Sequence, residues 1–191
     1  IERVAPGVIE TMADTVTPQG VVAVAAQFTS TLAEVVAAKP RLVAILEEVR
    51  DPGNAGTILR AADAAGADAV IFSGKSVDPY NPKVVRSTTG SMFHVPIVSG
   101  VDLNEVVAAM HDAGLTVIAA DVKGDDLLEH RAVLQLPTAW LFGNEAHGLD
   151  DAQLAKADRA LRLPIFGRAE SLNLATAASV CLYESAFAQR G

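Results

Sequence analysis

The feature that most constrains this chain is a rhythm. From residue 41 onward, short apolar runs alternate with longer helical patterns. The runs RLVAIL (41–46), DAVIFSG (68–74), HVPIV (94–98), LTVIAAD (115–121), TAWLFG (138–143) and RALRLPI (159–165) read as strands. Between them, NAGTILRAADAAG (54–66) reads as a helix closed by Gly66, and DLNEVVAAMHDAG (102–114) as another. NPKVVRSTTGSM starts a helix with Asn81 as N-cap and Pro82 at the first helical position. The last helix spans 173–190, with 174, 178, 181 and 182 on one apolar face. Strands alternating with helices specify an α/β fold with a mostly parallel sheet flanked by helices. Ligands of such sheets sit beyond the carboxyl ends of the strands. GNEAHG (143–148), at the mouth of a buried strand, is therefore a site candidate on topology alone.

The front of the chain is less regular. A short helical pattern around GVIETMAD is followed by a turn, TVTPQG. VVAVAAQF (21–28) reads as a strand, and STLAEVVAAKP as a capped helix that stops before Pro40. A soft domain boundary falls near residue 39.

Composition narrows the class. Half of the 191 residues are apolar but only 5% are aromatic, which suits helices packed on a sheet. No run reaches the roughly 18 apolar residues of a membrane span, and no leader pattern opens the chain. The single cysteine, Cys181, excludes an internal disulfide framework. These features predict a soluble, cytoplasmic protein. A net charge of −8 argues against a general nucleic-acid coat, whose affinity rests on many cation–phosphate contacts.

Several signals fail on inspection. SGKS (73–76) lacks the first glycine of a phosphate-binding loop, because Ala69 stands there. GNAG (53–56) is not a dinucleotide fingerprint. His94, His111, His130 and His147 show no metal-ligand spacing, so no metal is expected. Cys181, on an apolar helix face, reads as a core thiol.

Three polar constellations survive. In EEVRDPGNAGTILRAADAAG (47–66), Asn54 sits at a helix entrance and Arg60 projects from its body; a cap and a solvated cation would explain them equally well. In LFGNEAHGLDD (141–151), Gly143 lets backbone approach a ligand and Glu145 can orient a cation or accept a hydroxyl. The plain alternative is a loop before a short helix capped by Asp150 or Asp151, with His147 solvated. In LRLPIFGRAESLNLATAAS (161–179), Ser171 and Asn173 stand at the start of the last helix, where backbone N–H groups bind polar ligand atoms. One cap is needed there; two polar residues and a glycine loop exceed it.

N-x-G-x-x-x-R at 54–60, G-N-E-x-x-G at 143–148 and L-P-I-x-G-x-x-x-S-L-N at 163–173 resemble, in this order, the three motifs of the SpoU (TrmH-like) branch of the SPOUT RNA methyltransferases. NPKVVRSTTGSMFHVPIV (81–98) is similar to the stretch between the first two, and the likeness covers residues 40–191. It implies a deep C-terminal trefoil knot, which no periodicity would reveal. It implies a homodimer, S-adenosylmethionine as methyl donor, and a ribose 2′-hydroxyl of RNA as acceptor. It places Arg60, Asn54, Glu145, Ser171 and Asn173 in the catalytic machinery. Gly143, Leu163, Ile165, Leu172, Leu141 and Ala120 would cradle the cofactor. The family assigns Arg60 the role of base, yet a guanidinium is effectively always protonated. A phosphate anchor is the other role open to it. Arg50, Arg60, Lys75, Lys83, Arg86 and Arg168 could supply a local RNA face.

Several rRNA-directed relatives carry an N-terminal domain similar to a ribosomal protein. Residues 1–38, most closely 1–28 with TPQGVVAV, resemble the tail of that domain and its linker, with 39–191 as the catalytic domain. The opening Ile1 is expected of a processed chain or a fragment. This favours 23S rRNA over tRNA as substrate. A non-catalytic RNA-binding module on the same fold is the alternative of a different class.

Overall fold

Six parallel strands form the centre of the protein, seen in a computed structural model that describes residues 1–5, 7–13 and 15–191. In chain order the elements are α1 (Val8–Met12), α2 (Leu32–Ala37), β1 (Leu42–Glu47), α3 (Pro52–Ala65), β2 (Ala69–Ser73), α4 (Pro82–Ser87), β3 (Ile97–Val101), α5 (Leu103–Asp112), β4 (Thr116–Asp126), β5 (Thr138–Phe142), α6 (Asp151–Leu154), β6 (Arg159–Arg162) and α7 (Leu174–Arg190). The sheet order is β3-β2-β1-β5-β4-β6.

β1, β2 and β5 are buried at every residue. Alternate side chains therefore feed two cores. Ala44, Leu46, Phe72, Trp140 and Phe142 face α3 and α7. Val43, Ile45, Ile71, Ala139 and Leu141 face α5 and Val35 of α2. The second core includes α2, which an expected boundary near residue 39 would leave outside the sheet domain. The indole Nε1–H of Trp140 donates to Ser185 Oγ at 2.8 Å, so the one polar atom of the largest core side chain is satisfied while it ties β5 to α7.

The helix ends follow from local chemistry. Thr31 and Glu34 form a reciprocal capping box on α2. Asn81 caps α4 with Pro82 behind it, as expected. α3 starts at Pro52 rather than Asn54, because Asp51 accepts from the Asn54 backbone N–H at 2.7 Å and is the cap. Gly66 ends it in the left-handed conformation.

Two expectations are corrected. Residues 21–28 form no strand: Val21 and Val24 are 77% and 97% exposed, and the hydrogen bond to the sheet comes after the segment, from Ser30 N–H to Ile97 O. Without a ladder partner an apolar run has no strand to join. Its end, Phe28, instead packs on Tyr80 and Phe93. The pattern at 7–14 forms only the short α1; Asp14 lies outside the described residues. Elsewhere β3 starts three residues later than HVPIV suggests, and β4 runs on to Asp126. β4 pairs with β6 at Ala120↔Leu161, leaves the ladder, and returns at Asp125↔Leu161. In the excursion 121–124, Val122 and Lys123 are exposed while Gly124 stays buried against the β6 backbone.

Candidate active site

The amino ends of α3 and α7 meet the loop after β5, and one chain of polar groups joins them. Asn173 caps α7: its Oδ1 accepts from the backbone N–H groups of Ala175 (2.9 Å) and Thr176 (3.3 Å). That fixes which way its amide points. The Nδ2 group is left facing outward and donates to Asn54 Oδ1 at 3.0 Å. Asn54 Nδ2 is in turn directed to Glu145 Oε1, at 3.5 Å. The Glu145 carboxylate also accepts from the backbone N–H groups of Asp51 (2.9 Å) and Arg50 (3.2 Å), just ahead of α3, where the helix dipole favours an anion. Helix α7 thus orients Asn173, Asn173 orients Asn54, and Asn54 and the α3 entrance hold Glu145.

The loop that carries Glu145 is folded tightly. Asn144 and Gly148 exchange backbone hydrogen bonds at 3.1 and 2.9 Å. The buried Asn144 side chain donates to Glu48 O at 2.9 Å and accepts from Ala146 N–H at 2.9 Å. Glu48 itself has a left-handed φ of 54°, rare for a residue with a side chain, and Asn144 holds its carbonyl there. The close approach expected at Gly143 is made by the protein's own backbone: a Cβ there would lie 2.5 Å from the Gly148 carbonyl carbon. On the far side of β1, buried Glu47 accepts from Ser73 Oγ at 2.5 Å and Gln153 Nε2 at 3.1 Å, and burial raises its carboxyl above the ordinary range. Gln153 also closes the capping box of α6 with Asp150, one residue beyond the loop.

A cavity of about 400 Å³ opens beside this cluster. One wall is made by residues 121–123 of the excursion and the loop 144–148, which bring Asp121, Lys123, Asn144, Glu145 and His147 to it. Its apolar wall comes from Leu161, Leu163, Ile165 and Leu172, with Leu174, Ala177 and Cys181 of α7 behind. Burial pushes the Cys181 thiol up, as befits a core thiol.

The expected residues divide into three groups. Asn54, Glu145 and Asn173, from three distant segments, are brought into one chain. Ala120, Glu145, Leu163, Ile165, Ser171 and Leu172 line the cavity. Gly143 and Leu141 do not line it: Leu141 is fully buried in the α5-side core, and Gly143 is buried under its own loop. Arg60 is exposed on α3, away from the cavity lining, and makes no hydrogen bond or ion pair among the described residues. Sequence reasoning missed Asn144 and the Arg50 and Asp51 amides. Aspartate before proline was the available signal for the α3 entrance; nothing local marked the reach of Asn144 to Glu48. Among the described residues, no group of three or more His, Cys, Asp or Glu side chains is placed to hold a metal ion, and no helix is long and apolar enough to cross a membrane.

The chain is 37% identical over 171 residues to the 23S rRNA (guanosine(2553)-2′-O)-methyltransferase RlmP of Bacillus subtilis, covering 89% of this chain and 66% of that protein. It is 40% identical over 147 residues to the 23S rRNA (uridine(2479)-2′-O)-methyltransferase of Streptomyces viridochromogenes, covering 74% of this chain and 50% of the relative. The crystal structure of an AdoMet-bound rRNA methyltransferase from Sinorhizobium meliloti superposes with a TM-score of 0.74 at 37% identity, over 83% of this chain and 60% of that one. The chain thus spans less than two thirds of the length of these relatives. The sequence model of the SpoU rRNA Methylase family matches residues 41–183, and the chain belongs to that family.

Proposed function

We propose that the protein binds S-adenosylmethionine in the cavity and methylates a ribose 2′-hydroxyl of RNA, with 23S rRNA as substrate. One observation carries the reading: Glu145 belongs both to the cavity wall and to the amide chain built from the ends of α3 and α7. The cavity fits an adenosine-bearing ligand, since it is of ordinary ligand size, apolar on one wall and polar on the other. When bound, the cofactor supplies a methyl group already activated on a sulfonium. The protein's own residues then have to position the hydroxyl and see its proton removed. A carboxylate has about four acceptor positions. Three on Glu145 are taken by Arg50 N–H, Asp51 N–H and Asn54 Nδ2, which leaves one for the ribose hydroxyl. Arg60, which makes no hydrogen bond or ion pair among the described residues, grips the neighbouring phosphate with its planar fork rather than serving as base.

The relatives' named substrates support 23S rRNA. An RNA substrate also supports a cytoplasmic location. The order β1-β5-β4-β6, with β5 inserted between its neighbours before the chain crosses to the far edge, supports the deep trefoil knot. A homodimer is supported by the exposed Val180, Tyr183 and Phe187 along one side of α7, at 40%, 37% and 63% exposure. Residues 1–38 are read as the tail of an N-terminal RNA-binding domain and its linker to the catalytic domain. This is supported by α1, which buries nothing, and by the unpaired stretch 21–28, although α2 packs on the sheet.

The test is methyl transfer from labelled S-adenosylmethionine to 23S rRNA and to tRNA, followed by mapping of alkali-resistant linkages. Label in 23S rRNA at a 2′-O-methyl position is expected. Label in tRNA alone would overturn the substrate, and cofactor binding without any transfer would point to the binding module.

A further inference from the structure

We propose that Asp121 is the ribose anchor of the cavity, its free carboxylate oxygen accepting hydrogen bonds from the vicinal hydroxyls of the bound adenosine. The inference rests on the cofactor reading above and assigns a role to a residue outside the three motifs.

Asp121 begins the excursion in which β4 leaves the ladder. It is half-buried and lines the cavity. Its Oδ1 accepts from the Lys123 backbone N–H at 2.8 Å, a local turn that pins the carboxylate in one orientation. Its Oδ2 accepts no hydrogen bond among the described residues. This free oxygen faces Gly148 across the cavity, 3.7 Å from where a Cβ on that glycine would stand. The two cations nearby are turned elsewhere: Lys123 Nζ lies 3.8 Å from Asp151, and Arg162 donates to Gly124 O at 3.0 Å and pairs with Asp126 at 3.4 Å. The carboxylate therefore has spare acceptor capacity in a site designed to be filled.

Position decides what fills it. Asp121 follows directly on the Ala120↔Leu161 pair, where the apolar wall begins, and it faces the loop that carries Glu145. An adenosine with its base on the apolar wall and its sulfur toward Glu145 must lay its sugar across that interval. An ionised carboxylate only accepts, and the ribose hydroxyls donate. Such charge-assisted bonds are about twice as strong as neutral ones. An acidic side chain on ribose hydroxyls is also the usual arrangement at strand ends of α/β nucleotide sites.

Calorimetry separates this role from the others. The ligands are S-adenosylhomocysteine, its 2′-deoxy and 3′-deoxy counterparts, and 5′-methylthioadenosine, which keeps the ribose but has no amino-acid moiety. Asp121→Ala should weaken S-adenosylhomocysteine and 5′-methylthioadenosine alike, by roughly 10- to 100-fold. Removing a ribose hydroxyl should weaken binding to the parent but hardly matter in the variant. Asp121→Asn, which keeps the turn, should show a smaller loss; melting curves confirm that both variants are folded. If 5′-methylthioadenosine is indifferent to Asp121→Ala while S-adenosylhomocysteine is weakened, the carboxylate holds the ammonium group and the inference is wrong. Indifference of both ligands also overturns it, as does a parent that tolerates both deoxy analogues, a result that needs no variant. A parent that binds none of the four ligands defeats the cofactor reading, and this inference with it.

Discussion

The two halves of the sheet are built differently. In the half made of β1, β2 and β3, strands are joined through α3 and the β2–β3 crossover that contains α4, and the first two strands are buried throughout. In the half made of β4, β5 and β6, the long strand breaks into an excursion, β5 runs into a tight loop, and the crossover to β6 holds only the short α6. Of the strands and their loops, those that line the cavity all belong to this second half, with α7 closing it. Regular structure satisfies its own backbone, so it needs few side-chain ties. Irregular backbone must be tied down residue by residue, and here Asn144, Glu145 and Asn173 do so by reaching to the other half.

The largest expected effect sets two glycines against each other. A Cβ at Gly143 would meet Gly148 backbone at 2.5 Å, and one at Gly56 would meet Val84 O at 2.8 Å and Ser87 Oγ at 1.7 Å. Gly143→Ala and Gly56→Ala should each destabilise the fold by about 3 kcal/mol, the upper end for overpacking. Only Gly143→Ala should also abolish cofactor binding below its melting temperature. Equal loss of binding in both would erase the distinction between the halves.

Next in size is Asn144→Ala. It leaves the Glu48 carbonyl without its donor and should lower stability by about 2 kcal/mol. Denaturant titration reads the loss, and cofactor affinity should fall with it.

Asn173 separates a cap from a site. Asn173→Ala should lose about 1 kcal/mol of stability with the cap, and most of the transfer activity with the bond to Asn54. Asn173→Ser can still cap but is too short to reach Asn54. It should restore the melting temperature without restoring turnover. Recovery of both would mean that the amide chain does nothing beyond capping.

The smallest effect concerns pH. Burial raises the folded-state carboxyl of Glu47 above its ordinary value. The folded state therefore binds this proton more tightly than the unfolded state. Its contribution is most favourable below the ordinary carboxylate range and declines as pH rises to the raised value. Glu47→Gln should remove that decline, so that the variant gains stability relative to the parent as pH rises toward neutrality. Melting curves of parent and variant across the acid range would show it as converging lines.

The two halves also differed in how well the sequence revealed them. β1, β2 and α4 were legible because apolar runs and a proline after an N-cap are local signals. The α3 entrance carries the same signal in Asp51–Pro52, two residues ahead of the expected start. The excursion in β4 was not legible, since a register shift depends on the partner strand rather than on the residues that shift. Residues 21–28 misled for the same reason: an apolar run does not say whether a neighbour is there to pair. At the site, Asn54, Glu145 and Asn173 were recognisable by motif, but their direct chain spans 119 residues between Asn54 and Asn173 and exists only once α3 and α7 are packed together. Gly143 was recognised as a close approach while the partner in that approach, Gly148, was not.

The most direct test of a cofactor cavity confined to the irregular half is amide hydrogen exchange with and without S-adenosylmethionine. Protection should rise in 120–124, 143–149 and 163–173, with β2, β3 and α5 unchanged. Protection centred instead on the α3–α4 side, or none anywhere at saturating cofactor, would contradict the account.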